Sequence, residues 1–200
     1  MIIGITGGIG SGKSVIAKQL REMGYAVYDT DSEAKRLIVE DAAVRKQMIQ
    51  LFGSDVYKDG IYQTAFVAQR VFTDKSLLAR LNAIVHPAVR ADILRWATMQ
   101  DSPSFRKGLG VGVCFVECAI LYQAGFDSLC DKVVAVTAPE DIRLERVIAR
   151  DHSTIDKVRA RMRAQNAEQD LLRADIVVNN DGETPISTLC EQILHGAKAM

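Results

Sequence analysis

Read for the spacing of its apolar residues, the chain alternates between short β-branched runs and longer stretches of helical period. Ile2, Ile3 and Ile5 make a first strand that runs into glycines, and from Ser14 the stretch VIAKQLREMG has helical spacing closed by Gly24. Ala26, Val27 and Tyr28 predict a second strand ending on Asp29, Thr30 and Asp31, with Ser32 as the expected N-cap of a helix that begins EAKRLI. From about residue 41 to 104 the period is helical throughout: AAVRKQMIQLF, a turn at Lys58, Asp59 and Gly60, TAFVAQRVF, then LLARLNAIVHPAVRADILRWATMQ. Ser102, Pro103 and Ser104 end this block. After Lys107 and Gly108, GVGVCFVECAIL reads as a central strand buried on both faces.

A further strand over residues 132–137 stops at Ala138, where Pro139 suits the first turn of the helix IRLERVIARD. The pattern then predicts a helix over 154–172, a short strand over 175–178 and a last helix from 184 to about 195. Strands alternating with helices imply an α/β fold with a doubly wound parallel sheet of five strands, whose ligands bind at the carboxyl ends of the strands. The expected organisation is one unit of 1–200. Its core comprises 1–31, 109–150 and 168–200, a helical insertion spans 32–108, and an arginine-bearing lid covers 146–167.

Composition narrows this little. With 200 residues, 48% of them hydrophobic, the chain fills one sizeable core. Lys+Arg and Asp+Glu are both 25, so global charge points to no nucleic acid and no acidic membrane surface, and phosphate recognition has to be local. Cys114, Cys118, Cys130 and Cys190 form no CxxC pair, which argues against a structural metal. The N-terminus MIIGITGG lacks a basic leader, and no run approaches the ~18 apolar residues of a membrane span. A cytoplasmic protein is expected, as a monomer or weak homo-oligomer.

Gly7, Gly12, Lys13 and Ser14 satisfy GxxxxGK[ST] between a strand and a helix. A chance match in a chain of this size is on the order of 1%. Glycines let backbone N–H groups turn inward around a triphosphate, the lysine reaches the β/γ-phosphates, and the serine hydroxyl ligates Mg²⁺. ATP and Mg²⁺ are thus expected at Gly8, Ile9, Gly10, Ser11, Gly12, Lys13, Ser14 and Val15. Asp29 and Asp31, two apart at a strand end, are candidates to support the metal shell and to take a proton from an acceptor hydroxyl. Glu117, ending a buried strand, suits water-mediated ordering of Mg²⁺. Arg143, Arg146 and Arg150 share one helical face and fit the charge that spreads over a phosphoryl group in transfer, Arg146 and Arg150 foremost. His86 precedes Pro87 in a helical run that the proline should kink or end. Core packing is the default for Tyr57, Tyr62 and Trp96.

In this order, TGGIGSGKS at 6–14, YDTD at 28–31, LNAIVHPAV at 81–89, FVECAILYQAGFD at 115–127, VVAVTAPEDIRLERVIARD at 133–151, RMRAQ at 161–165 and ADIVVNNDG at 174–182 resemble the dephospho-CoA kinase family. The resemblance implies that MgATP sits on the glycine loop and that the acceptor is the ribose 3′-hydroxyl of dephospho-CoA. It further implies that Asp31 orients or deprotonates this hydroxyl, that the helical insertion holds the acceptor with His86 and Pro87 facing it, that Arg146 and Arg150 lie in the lid, and that Asn179 and Asn180 fall near adenine. Lys35 stands where the family places an arginine, and the segment from Glu117 to Gln123 lacks a usual proline and carboxylate. Another P-loop small-molecule or nucleoside-monophosphate kinase is the alternative. A GTPase-type switch is disfavoured because no NKxD element is present.

Overall fold

The protein is described here by a computed structural model covering residues 1–100, 112–165 and 172–198. Its contacts divide the chain into one unit of Met1–Tyr28 with Ala97–Met200 and a second of Asp29–Trp96. The break at residues 102–104 and the start of the returning core at 109 lie outside the described residues.

In the first unit, β1 (Ile2–Gly7), β2 (Ala26–Asp29), β5 (Cys114–Glu117), β6 (Lys132–Thr137) and β7 (Ile176–Asn179) form a five-stranded sheet in the order β2-β5-β1-β6-β7. β1 pairs in parallel with β5 and β6, and β6 with β7, in registers that set Ile5 beside Glu117 and Gly7 beside Val136. The central strands β1, β5 and β6 are buried on both faces, and on one face Gly4 lies against the Leu121 and Cys130 side chains. Ile3, Ile5, Phe115, Val134 and Val136 meet Ile16 and Leu20 of α1 (Lys13–Glu22) and Leu189 and Ile193 of α8 (Ile186–Lys198) in one buried cluster. Each such side chain contributes roughly 1.5–3 kcal/mol of burial. That packing fixes β1, so the loop following it starts from a rigid base.

The second unit contains α2 (Thr30–Glu40), α3 (Ala42–Phe52), α4 (Thr64–Thr73) and most of α5 (Lys75–Gln100). It also holds a hairpin of β3 (Tyr57–Lys58) and β4 (Ile61–Tyr62), which the helical period concealed because two-residue strands show no alternation. The expected turn is there, with φ of 51° at Asp59 and 79° at Gly60 suiting a tight hairpin. Tyr57 donates its hydroxyl to Ile38 O at 2.6 Å, under the Arg45 guanidinium. Arg36 ties α2 to α5 through Asp92 at 2.7 Å.

Three local expectations change. The N-cap of α2 is Asp29, not Ser32: its carboxylate accepts from the N–H groups of Asp31 at 3.0 Å and Ser32 at 3.2 Å, and Ser32 Oγ donates back to it. A carboxylate offers stronger acceptors to two orphan N–H groups than a hydroxyl one turn later. α5 runs through Pro87 without ending, held by the buried stripe Val85, Val89 and Ile93, which outweighs one lost backbone bond. The helix expected over 154–172 is α7 (Ile155–Ala164) and closes earlier, with 166–171 outside the described residues.

The cap yields a prediction. Asp29→Ala should lower unfolding free energy by about 1 kcal/mol while Asp29→Asn loses less, read by urea denaturation. Equal stability of the alanine variant would contradict the capping role.

Candidate active site

The loop between β1 and α1 is built by two glycine requirements. Gly7 has φ of 147° and its Cα faces the carbonyl of Val136, where any Cβ would collide. Gly12, with φ of 94°, is the left-handed N-cap of α1, and a side chain there would strike the Asn180 amide. Ser11 N–H closes the turn onto Gly8 O at 3.1 Å, and Val15 and Ile16 start the helix by donating to Gly12 O. The loop therefore presents the N-terminus of α1, the positive end of its dipole, at the mouth of the site. Ser14 and Val15 are exposed there.

Lys13 is only 8% exposed, and its Nζ donates to Gly7 O at 2.7 Å and Gly8 O at 3.2 Å. Its ammonium is thus drawn across the loop entrance by two carbonyls. The Ser11 hydroxyl is buried against Gly7 and has no hydrogen-bond partner, nor has that of Thr6. A buried hydroxyl left unsatisfied costs about 1–3 kcal/mol. At Ser11, a phosphate oxygen is the acceptor that would relieve it.

α6 (Glu140–Asp151) lays its arginines against this loop. Its apolar face, Leu144 and Val147, packs with Val158 of α7, and Ile9, Ile148 and Met162 close around them. Arg143 Nε donates to Ile9 O at 2.8 Å, with the guanidinium over Gly8. Arg146 donates to Asn180 O and Asn180 Oδ1, both at 3.2 Å, with a longer contact of 3.5 Å to Gly10 O. Asn180, 3% exposed, donates its side-chain amide to Ser11 O at 2.9 Å. Gln165, just past α7, accepts from Ile9 N–H at 2.7 Å and donates to Ala119 O at 3.1 Å.

Of the residues expected at the nucleotide, the structure thus gathers the loop, Lys13 and Arg146. It does not bring Arg150 to them: that guanidinium is exposed and binds Asp151 at 2.7 Å. Arg150, then Arg161, hold the Asp151 carboxyl well below the usual carboxylate range. Asn179 ends β7 exposed, and its neighbour Asn180 is the residue that touches the loop. Arg143, ranked behind Arg146 and Arg150 by the sequence, is the arginine bonded to Ile9. Gln165 was missed as a site residue, although it closes the RMRAQ segment.

Glu117 ends β5, half-buried, one strand from the loop. Within the second unit, the Asp29 carboxylate is turned into the cap of α2, so the two aspartates do not act alike. Asp31 sits exposed in the first turn, its backbone N–H held by Asp29, and Lys35 is exposed one turn later. His86 is half-buried in α5, and burial pushes its imidazole below the ordinary value, which keeps it neutral at pH 7. Among the described residues no group of three or more carboxylate, imidazole or thiol side chains forms a metal cage. Cys114, Cys118 and Cys190 are buried, and burial raises the thiols of Cys130 to about 12 and Cys190 to about 11, so both stay protonated and unreactive at neutral pH. No helix of the described residues is long and apolar enough to cross a membrane.

Comparison with known proteins agrees with this geometry. The dephospho-CoA kinase family model matches residues 1–185. A Porphyromonas gingivalis protein named dephospho-CoA kinase is 44% identical over 172 residues, covering 86% of this chain and 81% of the relative. A solved Thermus thermophilus structure is similar with a TM-score of 0.79 at 32% identity, covering 98% of this chain and 95% of that one. A solved dephospho-CoA kinase from Campylobacter jejuni shares the fold, with a TM-score of 0.67 at 22% identity and coverage of 98% and 95%. The chain therefore belongs to the dephospho-CoA kinase family.

Proposed function

We propose that the chain transfers the γ-phosphate of ATP to the ribose 3′-hydroxyl of dephospho-CoA, yielding ADP and coenzyme A, the last step of coenzyme A synthesis. The observation that carries the reading is the arginine-lined phosphate loop in a chain matched by the family over residues 1–185. The loop fits a triphosphate by its glycine cradle, by the orphaned Ser11 hydroxyl and by the helix N-terminus behind it. Both substrates are water-soluble nucleotides, and we assign the chain to the cytoplasm.

Phosphoryl transfer asks little covalent chemistry of a protein; positioning and charge stabilisation do most of it. Lys13 exchanges its loop carbonyls for phosphate oxygens. Arg146, presented by α6 and oriented by Asn180, offsets charge on the transferring group, and Arg143 does so at Gly8. Asp31, whose exposed carboxylate caps nothing, orients the acceptor hydroxyl and takes its proton. Asp29 sets the direction of that first turn. Lys35 and neutral His86, with the second unit around them, bind the acceptor. Arg150 joins the nucleotide only on leaving Asp151, and Asn179 borders the adenine side of Asn180.

Ser14 and Glu117 supply hard oxygen donors suited to Mg²⁺, which keeps waters and substrate phosphates as its other ligands and needs no protein cage. A magnesium ion held there would supply positive charge beside the β- and γ-phosphates. Ser14 would hold it directly and Glu117 through water.

The test is an acceptor screen by ADP release. With MgATP, turnover should follow added dephospho-CoA and stay at background with AMP or shikimate. Folded protein showing no dephospho-CoA-dependent ADP would refute the acceptor while leaving the nucleotide site standing.

A further inference from the structure

We infer that Gln165 is a positioning residue for phosphoryl transfer, the clasp that holds the phosphate loop against the arginine-bearing helices; this rests on the kinase reading above. The loop is gripped at Ile9 from three sides. Its N–H donates to Gln165 Oε1 at 2.7 Å, its carbonyl accepts from Arg143 Nε at 2.8 Å, and its side chain packs on Leu144, Val147 and Val158. A glycine-rich loop has little side-chain packing of its own. The Ile9 peptide is therefore where α6 and α7 set the loop's position.

Gln165 does more than close that peptide. Its amide Nε2 donates to Ala119 O at 3.1 Å and lies 3.5 Å from Gly7 O, the carbonyl that also receives Lys13 Nζ. Ala119 follows β5 two residues after Glu117, and β5 is paired with β1. One amide thus reads a donor and two acceptors on two segments, the loop carrying Lys13 and the segment following Glu117. Only a side chain with both an acceptor and donors at that length can do so. Glutamate has the shape without the donors, and would set its carboxylate against two carbonyl oxygens. The consequence is kinetic: without the clasp, Lys13 and Arg146 keep their charges but lose their spacing.

The experiment compares wild type with Gln165→Ala and Gln165→Glu by ADP release, by titration of a fluorescent ATP analogue with Mg²⁺, and by thermal unfolding. Both variants should lose about 10- to 100-fold in kcat, the size of removing a support one bond away from reacting groups. Nucleotide affinity should weaken several-fold, KM for dephospho-CoA should stay within about twofold, and Tm within a few degrees. Wild-type kcat in either variant would overturn the role. So would a loss that vanishes on cooling in step with a lowered Tm, since folding alone would then account for it. Should the alanine variant not fold, the isosteric glutamate carries the test. Wild type inactive on dephospho-CoA would remove the acceptor assignment instead, and the nucleotide titration would still decide on Gln165.

Discussion

Lys13→Ala will lose transfer by roughly 10³-fold in kcat/KM, the upper range for deleting one preorganised donor aimed at developing charge. The size follows from placement. Lys13 is the first residue of α1, its ammonium held at the loop entrance by Gly7 O and Gly8 O, so no other cation of the loop replaces it. Structural cost will stay local to the loop, because the two bonds given up join Lys13 to loop carbonyls and the sheet beneath is packed independently. Arginine will not restore the rate: its fork is wider than the ammonium and would meet the loop carbonyls in a different geometry. Steady-state kinetics with an unfolding curve on the same sample checks this, and an alanine variant within tenfold of wild type would remove Lys13 from the transfer step.

Asp31→Asn will reduce kcat by about 10²- to 10⁴-fold, the range expected for loss of a general base. Binding of ATP should be nearly unchanged, since the loop, Arg143, Arg146 and Asn180 are all set without Asp31. The neighbouring aspartate is the control. Asp29 is committed to two backbone N–H groups and Ser32, so its replacement acts first on stability and only through that on rate. A kcat of near wild type for Asp31→Asn, with the Asp29 variants impaired more, would reverse the two roles.

The parts of the fold legible in the sequence are those with a strong local cause. GGIGSGKS is read at once because only glycine tolerates φ of 147° and 94° at Gly7 and Gly12, and the β-branched runs at β1 and β6 show because both sheet faces are covered. The β3–β4 hairpin did not show, since two-residue strands lack a period. Of the two outcomes expected at Pro87, an end or a kink, the helix does not end there, because the penalty is local while the Val85, Val89 and Ile93 stripe that carries the helix through is tertiary. Asp29 and Asp31 were legible as a pair, and the resemblance set Asp31 apart as the base; that Asp29 caps α2 shows only in the geometry of its carboxylate against two N–H groups.

On the arginine face, spacing identifies which residues share a side and not which end of it meets the loop. Arg143 and Arg146 meet it, whereas Arg150 is drawn off by Asp151. Gln165 had no periodic or charge signal. Its partners are backbone groups 46 and more residues away, which no local pattern encodes.

The central claim is transfer to one hydroxyl, and the product itself tests it most directly. After reaction with MgATP and dephospho-CoA, phosphorus NMR should show one new phosphomonoester coupled to the ribose H3′, in a yield equal to the ADP released. A phosphoryl group on any other hydroxyl, or ADP formed with dephospho-CoA left unmodified, would contradict it.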